Sequence, residues 1–423
     1  MTSEIWLLIF CTFGLLVALG ATSGIINQLL WVSEPLACVV AGIALGPLGA
    51  GLLQLDPVAH PVDADILREA ARFTLAIAVT GAAMRLPVHW LSRNWRGMAV
   101  ALGPGMVLMW LAGSAIGFLL FGLPLLTALL LGAAIAPTDP VLSAPILTGR
   151  LAQHAVPAPL RDGMTAESAV NDGLALPLVM LPILLMKHAP AEAGREWLLH
   201  VLVWEIVGAV LVGAAAGWGT AQALRWARSR PDVDGASLLT VTISLALATT
   251  AGVRLLGGDE ILAAFVAGVV LNNSNRQFNV EEHHERFSEA LGRFFDLPVM
   301  ILFGAAIPWA AWGQLGWRGV AFAVAVLLLR RIPAWLLLRR WLPWNRDARS
   351  ALFAGWFGPI GAAALFYATL IQDETGSTAL WPFITLAIGA SVLVHGITST
   401  PFTRLFGGTP PPNRPDEERR HVG

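Results

Sequence analysis

Between residues 4 and 404 the chain passes almost without pause through apolar stretches, each about long enough to cross a bilayer and each closed by a short polar loop. That pattern decides most of what the chain can become. In lipid every backbone N–H and C=O needs an internal partner, so a spanning segment is a helix or part of a closed barrel, and runs of roughly 20 apolar residues suit a helix. Composition agrees: 56% of the 423 residues are hydrophobic and 13% are charged, against about 25% charged in soluble domains. The net charge of −1 gives no basic surface for nucleic acid. Cys11 and Cys38 lie in apolar runs and read as packing residues, not as a disulfide or metal pair. The start, MTSEIWLLIF, lacks a basic segment and a small-residue cleavage motif, so it reads as the first span rather than a removed signal.

The interruptions between runs give about thirteen spans, with approximate limits 4–20, 34–53, 67–86, 96–122, 124–147, 160–186, 197–225, 237–256, 259–273, 287–308, 317–338, 350–372 and 380–404. The expected class is an all-α polytopic membrane protein. Residues 1–405 make the transmembrane domain, and 406–423, rich in proline and charge, read as a short disordered cytoplasmic tail. With thirteen helices and the tail inside, the N-terminus is outside. Nineteen arginines, from Arg85 and Arg93 to Arg419 and Arg420, then fall in the inside loops and tail. Outside loops hold only Arg68, Lys187, Arg195, Arg254 and Arg318. Basic residues gather on the cytoplasmic side, so the alternation fits a multi-pass protein of the cell (inner) membrane.

Two spans are broken in the middle. The fifth carries APTDPVLSAP at 136–145, where Pro137 and Pro140 lack the N–H groups that a helix would direct at the Ala133 and Ala136 carbonyls. Ala136 and Asp139 each precede a proline and are pushed out of the α region, so extended backbone is expected around Thr138 and Asp139. TDP is also a good helix start, with Asp at the N-cap and Pro at the first position, which a half-helix beginning inside the membrane would use. The twelfth span has its own weak point, GWFGPIGAAALF, with Gly355, Gly358, Pro359 and Gly361 clustered at mid-span. Spans five and twelve run in opposite directions. A Gly/Pro-interrupted span in each half, with inverted orientation, points to a secondary transporter that binds its substrate near the midplane.

Charge is placed next to these breaks. The sixth span contains MTAESAVNDGLALPL, with Glu167 and Asn171 four residues apart, and likewise Ser168 and Asp172. Carboxylates inside a span are costly and by default functional. The eleventh span, AVLLLRRIPAWLLL, holds Arg330 and Arg331 in its apolar middle. A buried carboxylate suits an arginine fork, and Glu167 with Arg330 is the expected pair, Arg331 being the alternative. Glu205, Asp296 and His395 read as packing or interhelical hydrogen-bonding residues.

These motifs, PTDPV at 137–141, ESAVND at 167–172, AAFVAGVVLNN at 263–273, GWFGPIGAAALFYA at 355–368 and VHGITSTP at 394–401, resemble those of monovalent cation:proton antiporters of the sodium/proton exchanger type, NhaP-like bacterial members, in the same order along nearly the whole chain. The resemblance implies an inverted-repeat fold of about thirteen helices in which two discontinuous helices cross and core and dimerisation helices interleave in a homodimer. It implies a transported-cation site, not a resident metal or cofactor, built from Asp139, Asp172, Ser168 and Thr138, with Glu167 close by and Asn171, Arg330 and Arg331 in support. Many relatives carry an arginine in the second break; this chain has Ile360 there.

The mechanism expected from charge is competition. A desolvated aspartate takes up a proton near neutral pH; if Na⁺ and H⁺ compete for Asp172, only the loaded, neutralised site crosses easily. Asn171 precedes Asp172, and the sole lysine, Lys187, lies at a helix end. One titrating carboxylate predicts one cation for one proton, hence electroneutral exchange, with Li⁺ or K⁺ as alternatives to Na⁺ and a role in pH and cation homeostasis. Asp139 can ligand the cation, balance helix dipoles or do both. The alternatives weighed are a Na⁺-coupled organic solute transporter of similar architecture, a channel, and an intramembrane aspartyl protease. The protease lacks its usual sequence context, so no enzyme activity is expected.

Overall fold

The computed structural model of the protein describes residues 6, 10–15, 33–229, 238–274 and 297–407. Most of the first span, the loop holding Arg276 and Arg286, the start of the tenth span with Arg293 and Asp296, and residues 408–423 of the expected tail lie outside the described residues, while Phe406 and Gly407, the first two of that tail, continue the last helix. Elsewhere helices fall where the apolar runs place them. Among the described residues five are long and apolar enough to cross a membrane unaided: Trp90–Phe121, Ala158–Lys187, Pro190–Ala227, Trp309–Trp341 and Trp381–Gly407. Shorter apolar helices run over Glu34–Leu45, Leu125–Ala134 and Glu260–Ser274. Pro61–Arg85 is a full-length helix with charged residues in its outer turns.

Several limits differ from the expected ones, each for a local reason. The second span's helix stops at Leu45 rather than continuing to 53, because Pro47 cannot continue it and Gly51 turns back at φ +66°. The third begins six residues early, at Pro61, a residue preorganised for a first helical turn. The eleventh span begins at Trp309, is kinked at Gly316 (φ +53°), and is broken at Arg330–Arg331 before resuming over Ile332–Leu338. That third break was not expected. The twelfth span is split into Ala348–Trp356 and Ala362–Thr375. Asp347 caps its first half, accepting from the Ser350 hydroxyl at 2.6 Å and the Ser350 N–H at 2.8 Å. These bonds hold the Asp347 carboxyl below its usual range.

Small residues let the core helices close up. Gly213 and Gly217 on the seventh span lie against the Ala263 and Ala267 carbonyls of the ninth, so neither position has room for a Cβ. The large apolar side chains left on the outside, such as Leu119, Leu211, Trp317 and Val320, lie on helix faces turned away from the core. The polar centre lies inside: Thr138, Asp139, Glu167, Ser168, Asn171, Asp172, Arg330 and Arg331 are all buried.

Candidate functional site at the crossing of two broken helices

The two breaks meet. In the fifth span residues 135–143 leave helical geometry around Pro137 and Pro140, and in the twelfth residues 357–361 do the same. The Asp139 N–H donates to the Pro359 carbonyl at 2.9 Å, a backbone bridge from one break to the other. The Asp139 carboxylate then serves both chains. Its Oδ1 accepts from Val141 N (2.8 Å) and Leu142 N (3.1 Å), and its Oδ2 accepts from Ala362 N (2.8 Å), the first residue of the resumed twelfth helix. Gly361 is required for this approach, since a Cβ there would overlap Asp139 Oδ2. Of the two roles open for Asp139, balancing helix ends is the one its hydrogen bonds display.

Arg330 does the converse at the other two ends. Its Nη1 donates to the carbonyls of Ile135 (2.5 Å), Ala136 (3.0 Å) and Pro137 (3.2 Å), and its Nη2 to the Gly358 carbonyl. These are the acceptors that the breaks release from helical bonding. One carboxylate and one guanidinium therefore complement four interrupted helix ends.

The expected Glu167–Arg330 pair is corrected accordingly. Arg331 makes it, with Nη1 to Oε1 and Nη2 to Oε2 both at 2.8 Å. Its Nε donates to the Ala354 carbonyl (3.0 Å), and its guanidinium lies 3.9 Å from the Trp335 ring centroid. The break between the two arginines sends adjacent side chains to different tasks, which an unbroken helix would not.

From Glu167 a polar chain leads back to the first break. Asn171 Nδ2 donates to Glu167 Oε1 and to Thr138 Oγ1, both at 2.8 Å, while its Oδ1 accepts from Thr138 N at 3.1 Å. The Thr138 and Ser168 hydroxyls are bonded at 2.9 Å. Asp172, one residue beyond Asn171, is 0% exposed. The Tyr367 hydroxyl, from the resumed twelfth helix, donates to the Asp172 carbonyl (2.5 Å) and reaches the Gly173 carbonyl (3.3 Å). The structure thus joins Thr138, Ser168, Asn171, Glu167 and Arg331 in one network, and Asp139 and Arg330 in an adjoining one.

Tyr367 and Ser391 were not singled out by the sequence: Tyr367 lies within GWFGPIGAAALFYA without a role of its own, and Ser391 lies three residues before VHGITSTP. Ser391 Oγ accepts from Ile360 N (2.7 Å) and contacts His395 Nδ1 (3.0 Å), and His395 Nε2 donates to the Trp356 carbonyl (2.8 Å). Both sides of the second break are thereby tied to the last span, the interhelical role expected of His395. Ile360, within the second break, is buried.

Two oppositely directed broken helices crossing at a buried polar centre are the architecture of a secondary transporter. Residues 13–405 match the family described as sodium/hydrogen exchanger, transmembrane, and the chain belongs to that family. It is 29% identical over 403 residues to Na(+)/H(+) antiporter 2 of Zygosaccharomyces rouxii, covering 88% of this chain and 49% of that protein. A Na(+)/H(+) antiporter of Schizosaccharomyces pombe is 30% identical over 89% of this chain and 85% of its own length. The chain spans about half the length of the Zygosaccharomyces relative. The fold is that of the sodium proton antiporter MjNhaP1 of Methanocaldococcus jannaschii at pH 8, with a TM-score of 0.74, 16% identity, and 96% of this chain and 98% of that one covered.

Proposed function

We propose that this chain exchanges a monovalent cation for a proton across the membrane, with Na⁺ the first candidate and Li⁺ or K⁺ the others. The observation that carries the reading is the crossing itself, where Asp139 and Arg330 complement the broken helix ends beside a network of Thr138, Ser168 and Asn171 oxygens. Relatives named Na(+)/H(+) antiporters support it, as does a fold shared with a sodium proton antiporter. Glu167 and Asp139 have fixed structural tasks, so Asp172 is the carboxylate assigned to carry cation and proton in alternation. Thr138 and Ser168 are assigned as its oxygen partners.

Exchange is proposed to be electroneutral, one cation for one proton. Asn171 holds the position before Asp172, and the sole lysine, Lys187, pairs with Glu374 at 2.6 Å, at a helix end away from the crossing. The protein is proposed to act in the cell membrane, C-terminus cytoplasmic, as a homodimer. Support for dimerisation comes from the helix Pro190–Ala227, only 22% of whose apolar window is buried within one chain.

The test is dequenching of a pH-sensitive dye in everted vesicles on addition of Na⁺, Li⁺ or K⁺. The wild type is expected to respond to at least one of them without organic solute, and Asp172→Asn to none while remaining folded. An Asp172→Asn protein that still exchanges refutes the assignment. A rate that follows membrane potential at matched ion gradients refutes electroneutrality.

A further inference from the structure

A second group of carboxylates lies away from the crossing, in a cavity of about 350 Å³ at the face that the charge count makes external. Its lining includes Asp259, Glu205, Glu260, Asp373 and Tyr367. Most of the acids there are matched to a fixed cation. Arg72 Nε bonds Glu260 at 2.7 Å, Arg68 Nη1 bonds Asp373 at 2.6 Å and Lys187 bonds Glu374 at 2.6 Å. Arg254 lies 3.2 Å from Glu69, which Arg72 also contacts.

Asp259 and Glu205 differ. Among the described residues no arginine or lysine lies in ion-pair range of either, and Glu205 meets only His200, at 3.4 Å, which is charged only when protonated. The Asp259 N–H donates to the Glu205 carbonyl (3.2 Å), which holds the two residues together. Asp259 Oδ1 caps the helix Glu260–Ser274, accepting from Ile261 N (3.0 Å) and Leu262 N (2.9 Å). Asp259 Oδ2 is buried and has no hydrogen-bond partner among the described residues, and the same holds for Glu205 Oε2. Asp259 as a whole is 2% exposed. A buried carboxylate oxygen in that position stays ionised only beside a positive charge and otherwise takes up a proton, and a small cation with oxygen affinity supplies that charge.

The location gives the demand a purpose. A Cβ on Gly173 would lie 3.1 Å from Asp259 Oδ2, so this oxygen stands beside the residue that follows Asp172. Tyr367, whose hydroxyl holds the Asp172 and Gly173 carbonyls, also lines the cavity. We propose that Asp259 and Glu205 form an outer binding post for the transported monovalent cation, which exchanges ions between the external cavity and the Asp172 site. The inference rests on the exchange reading above and adds a second site on the same route.

The test separates the two faces. Apparent KM for Na⁺ is measured from outside in right-side-out vesicles and from the cytoplasmic side in everted ones, for the wild type and for Asp259→Asn, which keeps a capping oxygen and removes the charge. Loss of one focusing charge is expected to raise the outer KM about fivefold or more while the inner KM stays within about twofold; Glu205→Gln shifts the outer KM in the same direction. Should Asp259→Asn not fold, Asp259→Ser also keeps a capping oxygen and is read in the same way. An outer KM unchanged by these substitutions, or outer and inner values rising together, overturns the binding post and leaves the exchange reading standing. A wild type that moves no cation against protons in either vesicle overturns both.

Discussion

At the scale of single residues, the two adjacent arginines make the sharpest contrast. Arg331 commits both Nη groups to Glu167 in two hydrogen bonds of 2.8 Å, with both partners buried. Removing one member leaves an uncompensated charge in low dielectric, which costs about 3–5 kcal/mol, whereas removing both together costs much less. Arg331→Met and Glu167→Gln are therefore each expected to lower the melting temperature in detergent strongly, and the double variant to recover a large part of the loss. Additive losses would refute the pair. Arg330 donates instead to backbone carbonyls on two spans, so Arg330→Gln is expected to destabilise without any rescue by Glu167→Gln. The sequence could not distinguish the two arginines because the choice depends on a helix break at 330–331, and its only local marker, Pro333, is as compatible with a first helical turn as with a kink. Asp139 and Asp172 stand out in the sequence because aspartate within an apolar run is costly, and the structure buries both.

At the scale of elements, the breaks in spans five and twelve were legible for the reason that makes them work: proline and glycine act locally, and their effect on the backbone needs no knowledge of the partner. What covers the exposed backbone was not legible. The donor to Ser391 Oγ is Ile360 N, thirty-one positions earlier, and nothing in SVLVHG marks the serine as its partner. Ser391→Ala should leave that buried N–H without an acceptor, a loss of about 1–3 kcal/mol, and should slow exchange because the resumed half-helix loses its anchor. Ser391→Thr, which restores a hydroxyl, should recover much of both; an alanine variant as stable and active as wild type would show that the anchor is dispensable. Gly361→Ala tests the crossing from its other side. The added methyl displaces the Asp139 carboxylate from the Ala362 N–H, and since displacements near 1 Å at a reacting centre can cost orders of magnitude, the exchange rate should fall on the order of tenfold or more. Normal transport by Gly361→Ala would mean that Asp139 has no fixed place in the cycle. Capping outside the membrane is a milder matter: Asp347→Ala should cost about 1 kcal/mol, the usual worth of an N-cap, with transport preserved.

At the scale of the whole molecule, the contacts between span ends carry information that no single span does. Arg68 with Asp373 and Lys187 with Glu374 join the outer ends of the third, sixth and twelfth spans as the charge count assigns them. At the opposite end, Arg349 donates to the Leu405 carbonyl and Asn273 accepts from His89 N. Every one of these contacts links loops given the same side by the alternation of basic residues; a miscounted span between them would have required a contact through the bilayer. Nine spans separate the loop near residue 92 from the loop near residue 377, an odd number, so the two must open on opposite faces. Ser92 and Ser377 are both exposed, and the native Cys11 and Cys38 are buried, which gives a clean labelling background. In intact cells a membrane-impermeant maleimide should modify Ser377→Cys, and should reach Ser92→Cys only after permeabilisation. The reverse result would invert the assigned orientation while keeping the alternation. Modification of both from one side would break the span count itself: a span lost or gained between the fifth and the twelfth makes the two broken helices parallel and removes the antiparallel pair on which the proposed cation site depends.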